Sequence, residues 1–106
     1  MDAAWASLHD HAGRSVNSRF YDVKHDADWS WSVLRPGDTI TLYHGMGFTL
    51  LDLDDQKFVA HGAFLVLATE RTKTHHGLTT LNVWLYAYDT IYRKRINEIV
   101  THKVVE

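Results

Sequence analysis

"WSWSVLRPGDTITLYHG", residues 29–45, decides how this chain is read. Pro36 presets φ for a turn and Gly37 tolerates a positive φ, so Pro36-Gly37-Asp38 marks a tight reversal. After it, Ile40, Leu42 and His44 fall on one face and Thr39, Thr41 and Tyr43 on the other, the period of a half-buried β-strand. Trp29 and Trp31 precede the turn, and on an extended segment their indoles share a face. The stretch reads as the mouth of a small ligand-binding barrel or as a well-formed hairpin.

Outward from it, the alternation recurs. "FTLLDL" (48–53) and the long "KFVAHGAFLVLATER" (57–71) are predicted strands, with Gly62 as a bulge or barrel corner. "LTTLNVWLYAYD" (78–89) sets Leu81, Val83, Leu85 and Ala87 against Asn82, Trp84, Tyr86 and Tyr88. Turns are expected at Gly45-Met46-Gly47, at Asp54-Asp55-Gln56 and at "KTHHG" (73–77). Upstream, "SVNSRFYDV" (15–23) alternates as a first strand, and "KHDADWS" (24–30) is a polar loop. Ala3, Ala4, Trp5, Leu8 and Ala12 predict a short amphipathic N-terminal helix over 2–12, stopped by Gly13. Asp89 or Thr90 would cap a C-terminal helix with a stripe of Tyr92, Ile96, Ile99 and Val100. That stripe fails at Lys103, so "EIVTHKVVE" (98–106) is read alternatively as a closing strand. The expected class is α+β and mostly β: a small curled antiparallel sheet or barrel that leaves few open edges.

Composition narrows the function classes. With 106 residues, 45% apolar and 23% charged, the chain has the make-up of one ordinary globular domain. Four Trp and five Tyr point to an aromatic core, an aromatic binding face, or both. A net charge of −2 excludes a global positive field for nucleic acid but leaves room for a local basic patch. The absence of Cys removes disulfides, thiolate metal sites and a Cys nucleophile. The first residues lack the pattern of a signal peptide and no apolar run is long enough to span a membrane, so a cytoplasmic location is expected.

The sequence holds no phosphate loop, nucleophile elbow or metalloprotease motif, and no catalytic residue is assigned. His9-Asp10-His11 supplies zinc-type ligands, but residues two apart on a helix point away from each other, so a solvated face is the reading. His75-His76 reads as a polar turn, and "LDLDDQ" (51–56) lacks the ligand spacing of a calcium loop. No cofactor and no metal are expected. "YRKRINE" (92–98) sets Arg93, Lys94 and Arg95 beside Tyr92, which is either a phosphate patch or a solvated face.

The order "AGRSVNSRFYD" (12–22), "LRPGDTITLY" (34–43) and then a long Val- and Leu-rich strand resembles the ASCH branch of the PUA-like barrels. Gly37-Asp38, Tyr43-His44 and "VAHGAFLV" are also similar to the sister EVE domains. The family's motif lysine would fall near Ser15 or be replaced by Arg14, and its strand glutamate near Ser18; Arg19 keeps the basic partner. The resemblance therefore implies a pocket for RNA, a nucleotide or a modified base more than the amidohydrolase activity of some members.

The expected site is a cleft between residues 14–22 and the Trp29/Trp31 loop. There Arg14 and Arg19 would meet phosphate or a carbonyl edge, Trp29 or Trp31 would stack, and Tyr43 or His44 would donate a hydrogen bond. The alternative class is a protein-interaction module of the kind phages and mobile elements encode, anchored by surplus Tyr and Trp. A homodimer through an edge strand at 79–88 is the third expectation.

Overall fold

Two residues, Ala60 and His61, join the end of one strand to the start of another in this protein, and that short link dictates its shape. The computed structural model describes residues 6–21, 31–73 and 79–98. Within them lie seven strands: β1 (Ala6–His9), β2 (Thr39–Leu42), β3 (Thr49–Leu51), β4 (Lys57–Val59), β5 (Gly62–Lys73), β6 (Thr79–Ala87) and β7 (Thr90–Glu98). They form one antiparallel sheet in the order β1-β2-β5-β6-β7-β3-β4. In a flat sheet β4 and β5 would lie four spacings apart, about 19 Å. The chain from Val59 to Gly62 reaches at most about 11 Å. The sheet must therefore curl strongly, yet β1 and β4 remain unpaired to each other, so it is not a closed barrel.

Alternation decides what the curl encloses. Ile40 and Leu42 on β2, Phe64 and Val66 on β5, and Leu81, Val83 and Leu85 on β6 all point inward and are buried. Each such side chain contributes roughly 1.5–3 kcal/mol. Asp38 begins β2 through a type II reversal: its N–H donates to Arg35 O at 3.0 Å, with Pro36 second and Gly37 third at φ 95°. The turn read from the sequence is present.

Two other breaks were placed differently by the residues. Gly62 (φ 110°) does not bulge a continuous strand but begins β5, after a break from β4 at Ala60 and His61. The bulge lies at Leu67, where the β5–β6 register slips between Val66 and Ala68. Past it the inward set becomes Thr69 and Arg71, opposite Val83 and Leu81, while Glu70 faces outward opposite Asn82. One extra residue thus exchanges a carboxylate for a guanidinium on the inner face.

Several expectations are corrected. Residues 6–9, assigned to an N-terminal helix, are a strand: Ala6 and Leu8 alternate as well as they fit a helix, and both are buried opposite Leu42 and Ile40. The strand expected at 15–23 gives way, over its described residues 15–21, to a single helical turn, α1 (Ser18–Tyr21), started by Arg19 N–H donating to Val16 O. The C-terminal helix is absent over 90–98, because Tyr88-Asp89, both with φ near 60°, make a two-residue reversal from β6 into β7. Residues 79–87 are no edge, since β6 is paired on both sides. Trp5, Trp29, the "KHDADWS" loop, the His75-His76 turn and residues 99–106 lie outside the described residues. Among the described residues no helix is long and apolar enough to cross a membrane.

Candidate functional site

The site forms where the Pro36-Gly37 turn, α1 and the inner edge of β5 meet. Asp38 organises it. Its carboxylate is only 3% exposed and accepts from the Arg35 N–H at 2.8 Å. It also accepts both ends of the Arg19 fork, Nη1 at 3.0 Å and Nη2 at 3.1 Å. Arg19 Nη1 donates further to Val33 O at 2.8 Å, on the 3₁₀ turn Trp31–Val33. Burial of a carboxylate is tolerated here because charge and hydrogen bonds are met together. The one-turn helix α1 lifts Arg19 to this position, nineteen residues before its partner.

Arg19, Arg35 and Arg71 line one cleft of about 530 Å³, with Ser32, Val33, Leu34, Pro36 and Thr69. The Leu67 bulge delivers Arg71, whose Nη2 donates to Ser32 O at 3.3 Å. Among the described residues the Arg35 guanidinium has no hydrogen-bond or ion-pair partner. Three guanidiniums gather here, among the described residues, around one buried carboxylate, Asp38. A fixed Arg19 leaves donors over, and Arg35 and Arg71 are exposed at the rim. Chemically, forked guanidinium donors in such an arrangement can pair with an anion that has several oxygens.

The five predicted site residues that are described do not converge. Only Arg19 stands in this cleft. Arg14 lies at the β1 end, where its Nε meets Asp10 Oδ2 at 3.3 Å and its side chain is 77% exposed. Trp31 is sealed in the core, edge-on to Phe48 at 6.3 Å between ring centroids, so no face is open for stacking. Trp29 falls outside the described residues. Tyr43 and His44 follow the far end of β2, about 16 Å along the strand from Asp38. There the His44 ring packs edge-on against His61 at 4.7 Å.

His9-Asp10-His11 also resolves into structure and not ligation. Asp10 Oδ1 accepts the N–H groups of Ala12 and Arg14, each at 2.9 Å, and so builds the loop. The Arg14 N–H bond above all holds the Asp10 carboxyl below its ordinary range, helped by Ala12 and by the Arg14 and His11 charges, while desolvation opposes them. No group of three or more metal-ligating side chains occurs among the described residues.

Arg35 and Arg71 escaped the sequence reading for different reasons. Arg35 sits in "LRPGD", three residues before Asp38, and that proximity was a usable signal. Arg71 carried none, because only the register slip turns it inward. No protein-family model, no curated protein and no solved structure matches the chain.

Proposed function

We propose that the protein binds the phosphate of a nucleotide or of single-stranded RNA in the cleft of Arg19, Arg35 and Arg71. One observation carries this reading: three guanidiniums converge on a single cleft in a chain whose net charge is −2. Arg forks match phosphate oxygens in pairs, and Arg19 is already oriented by Asp38, so less ordering accompanies binding. The likeness of "LRPGD" and Arg19 to PUA-like domains supports the same ligand class. The reading is one of recognition.

The test is titration of the protein with a labelled uridine dinucleotide at low salt, alongside Arg35→Ala and Arg71→Ala. Arg35→Ala removes a guanidinium with no hydrogen-bond or ion-pair partner among the described residues, so the fold should persist while affinity falls about tenfold, the weight of one charged hydrogen-bonding contact. Each variant should also flatten the salt dependence, by about 0.7 in log–log slope per lost phosphate contact. Undiminished binding by both variants would remove this reading. Attention would then pass to the outer face, where Leu65, Tyr86 and Ile91 form an exposed cross-strand row, and to a protein partner.

A further inference from the structure

The motif Arg93-Lys94-Arg95 has no part in the cleft above, and the structure gives it a place of its own. Strand β7 pairs with β6 at nine positions, but with β3 at one only, Leu51↔Arg93. Were that ladder continued, Thr49 would stand opposite Arg95. Instead the strands part, opening a second cleft of about 490 Å³ lined by Lys57, Arg93, Lys94 and Arg95 along with Thr49–Leu51 and Ile96. Phe48 O and Asp52 N–H are bonded toward β4, to Ala60 and Gln56, so by alternation the intervening Thr49 turns its backbone toward β7. Lys94 Nζ fills that opening, donating to Thr49 O at 3.0 Å.

An added peptide strand would need the very carbonyl that Lys94 occupies, which disfavours strand addition here. Charge remains. Asp55 meets Arg93 at 2.6 Å, so charge on this cleft is met at Arg93 but not at every cation. Lys57 and Arg95 have no hydrogen-bond or ion-pair partner among the described residues. The two clefts are linked through the Trp31–Val33 turn. Lys94 Nζ lies over the Trp31 ring, 5.3 Å from its centroid, and the next residues of that turn, Ser32 and Val33, line the arginine cleft.

We infer that the two clefts form one track for the backbone of single-stranded nucleic acid, passing over the Trp31–Val33 turn. This deepens the proposed function and rests on it: the ligand class becomes an oligonucleotide, with a first phosphate held by Arg35 and Arg71 and later ones by Lys57 and Arg95. Linked contacts of this kind multiply affinity, because each later phosphate binds at a high effective concentration.

The experiment compares a uridine dinucleotide with an oligouridylate of about 12 nucleotides, within the site sizes of small single-strand-binding folds. Wild type should bind the longer probe at least about tenfold more tightly. The double variant Lys57→Gln/Arg95→Gln changes only exposed side chains without partners among the described residues, and its fold is checked by thermal melting. It should lose that length increment, keep the dinucleotide affinity, and lower the salt slope for the long probe by about 1.4. Equal affinity for both probes, or a double variant that keeps the increment, overturns the track while the arginine cleft stands. Failure of the dinucleotide to bind, or its indifference to Arg35→Ala, overturns the proposed function instead. Equal or tighter capture of polyglutamate at the same ionic strength overturns nucleic acid as the ligand class.

Discussion

Strand β2 is four residues long, and its two ends are built by different chemistry. At the Asp38 end a buried carboxylate gathers Arg19 and the Arg35 N–H, and the surface above it is cationic. At the Leu42 end the chain is closed by rings. His44 packs on His61, and Tyr88 reaches across to donate its hydroxyl to His61 O at 3.1 Å. Tyr88 also meets Phe64 edge-on at 6.1 Å, over the place where Gly62 lacks a side chain. The first end depends on satisfying charge, the second on fitting shape. Residues contiguous in sequence, from Trp31 to His44, therefore serve two separate places and not one mouth.

The largest effect is expected at the charged end. Asp38→Ala strands the Arg19 fork and the Arg35 N–H in a site only partly open to water. Breaking one partner of such a pair costs about 3–5 kcal/mol, a large part of the roughly 5–15 kcal/mol that holds a domain. Urea denaturation should show that loss or outright unfolding. Asp38→Asn should cost less, since an amide oxygen still accepts one bond. A loss below about 1 kcal/mol for the alanine variant would mean that the pair is incidental and the contrast between the ends false.

At the aromatic end the corresponding change is Gly62→Ala. A Cβ there would collide with the Tyr88 hydroxyl, and the backbone φ of 110° is one that side chains rarely adopt. The expected cost is about 2–3 kcal/mol, combining backbone strain with the clash. The double variant Gly62→Ala/Tyr88→Phe sharpens the point. Removing the hydroxyl should return the steric part but not the backbone part, so the two substitutions should be non-additive in thermal melts. Simple additivity would show that Tyr88 does not sit against residue 62.

How much of this was legible follows from the same two ends. Pro36-Gly37-Asp38 carries its turn in its residue types, and the period of "DTITLY" carries its strand, so β2 was readable. Leu81, Val83 and Leu85 were readable for the same reason. Tyr88-Asp89 was not: a two-residue reversal with positive φ at both positions usually announces itself with Asn or Gly. Here its cost is met by tertiary contacts of Tyr88, which no local pattern displays. The short segments 6–9 and 15–21 were ambiguous between periods, and pairing with β2 decided the first. Of the site, Arg19 was legible as a basic residue near the turn, but its engagement by Asp38 spans nineteen positions. Trp31 shows the opposite error, since an aromatic beside polar residues was read as a contact and is core.

The smallest effect separates the two Asp–Arg pairs that share the charged end, where His9 of β1 stands opposite Thr39 of β2. Asp10 resembles Asp38 in taking backbone N–H groups and an arginine, but that arginine is 77% exposed and the pair is bound at one point. Exposed pairs of this kind contribute little, and salt screens them. Its bonds with Arg14 and Ala12 hold the folded-state carboxyl below its unfolded value, so the carboxylate stabilises the fold at neutral pH. That contribution is present above the unfolded value, near 4, and is lost as pH falls through the lower folded one. Asp10→Asn should therefore change stability little, and should flatten its decline only below about pH 4. Chemical denaturation of wild type and variant across that range measures the difference. A loss in Asp10→Asn as large as in Asp38→Asn would show that the backbone bonds of the carboxylate outweigh burial, and that exposure is the wrong axis on which to separate the two pairs.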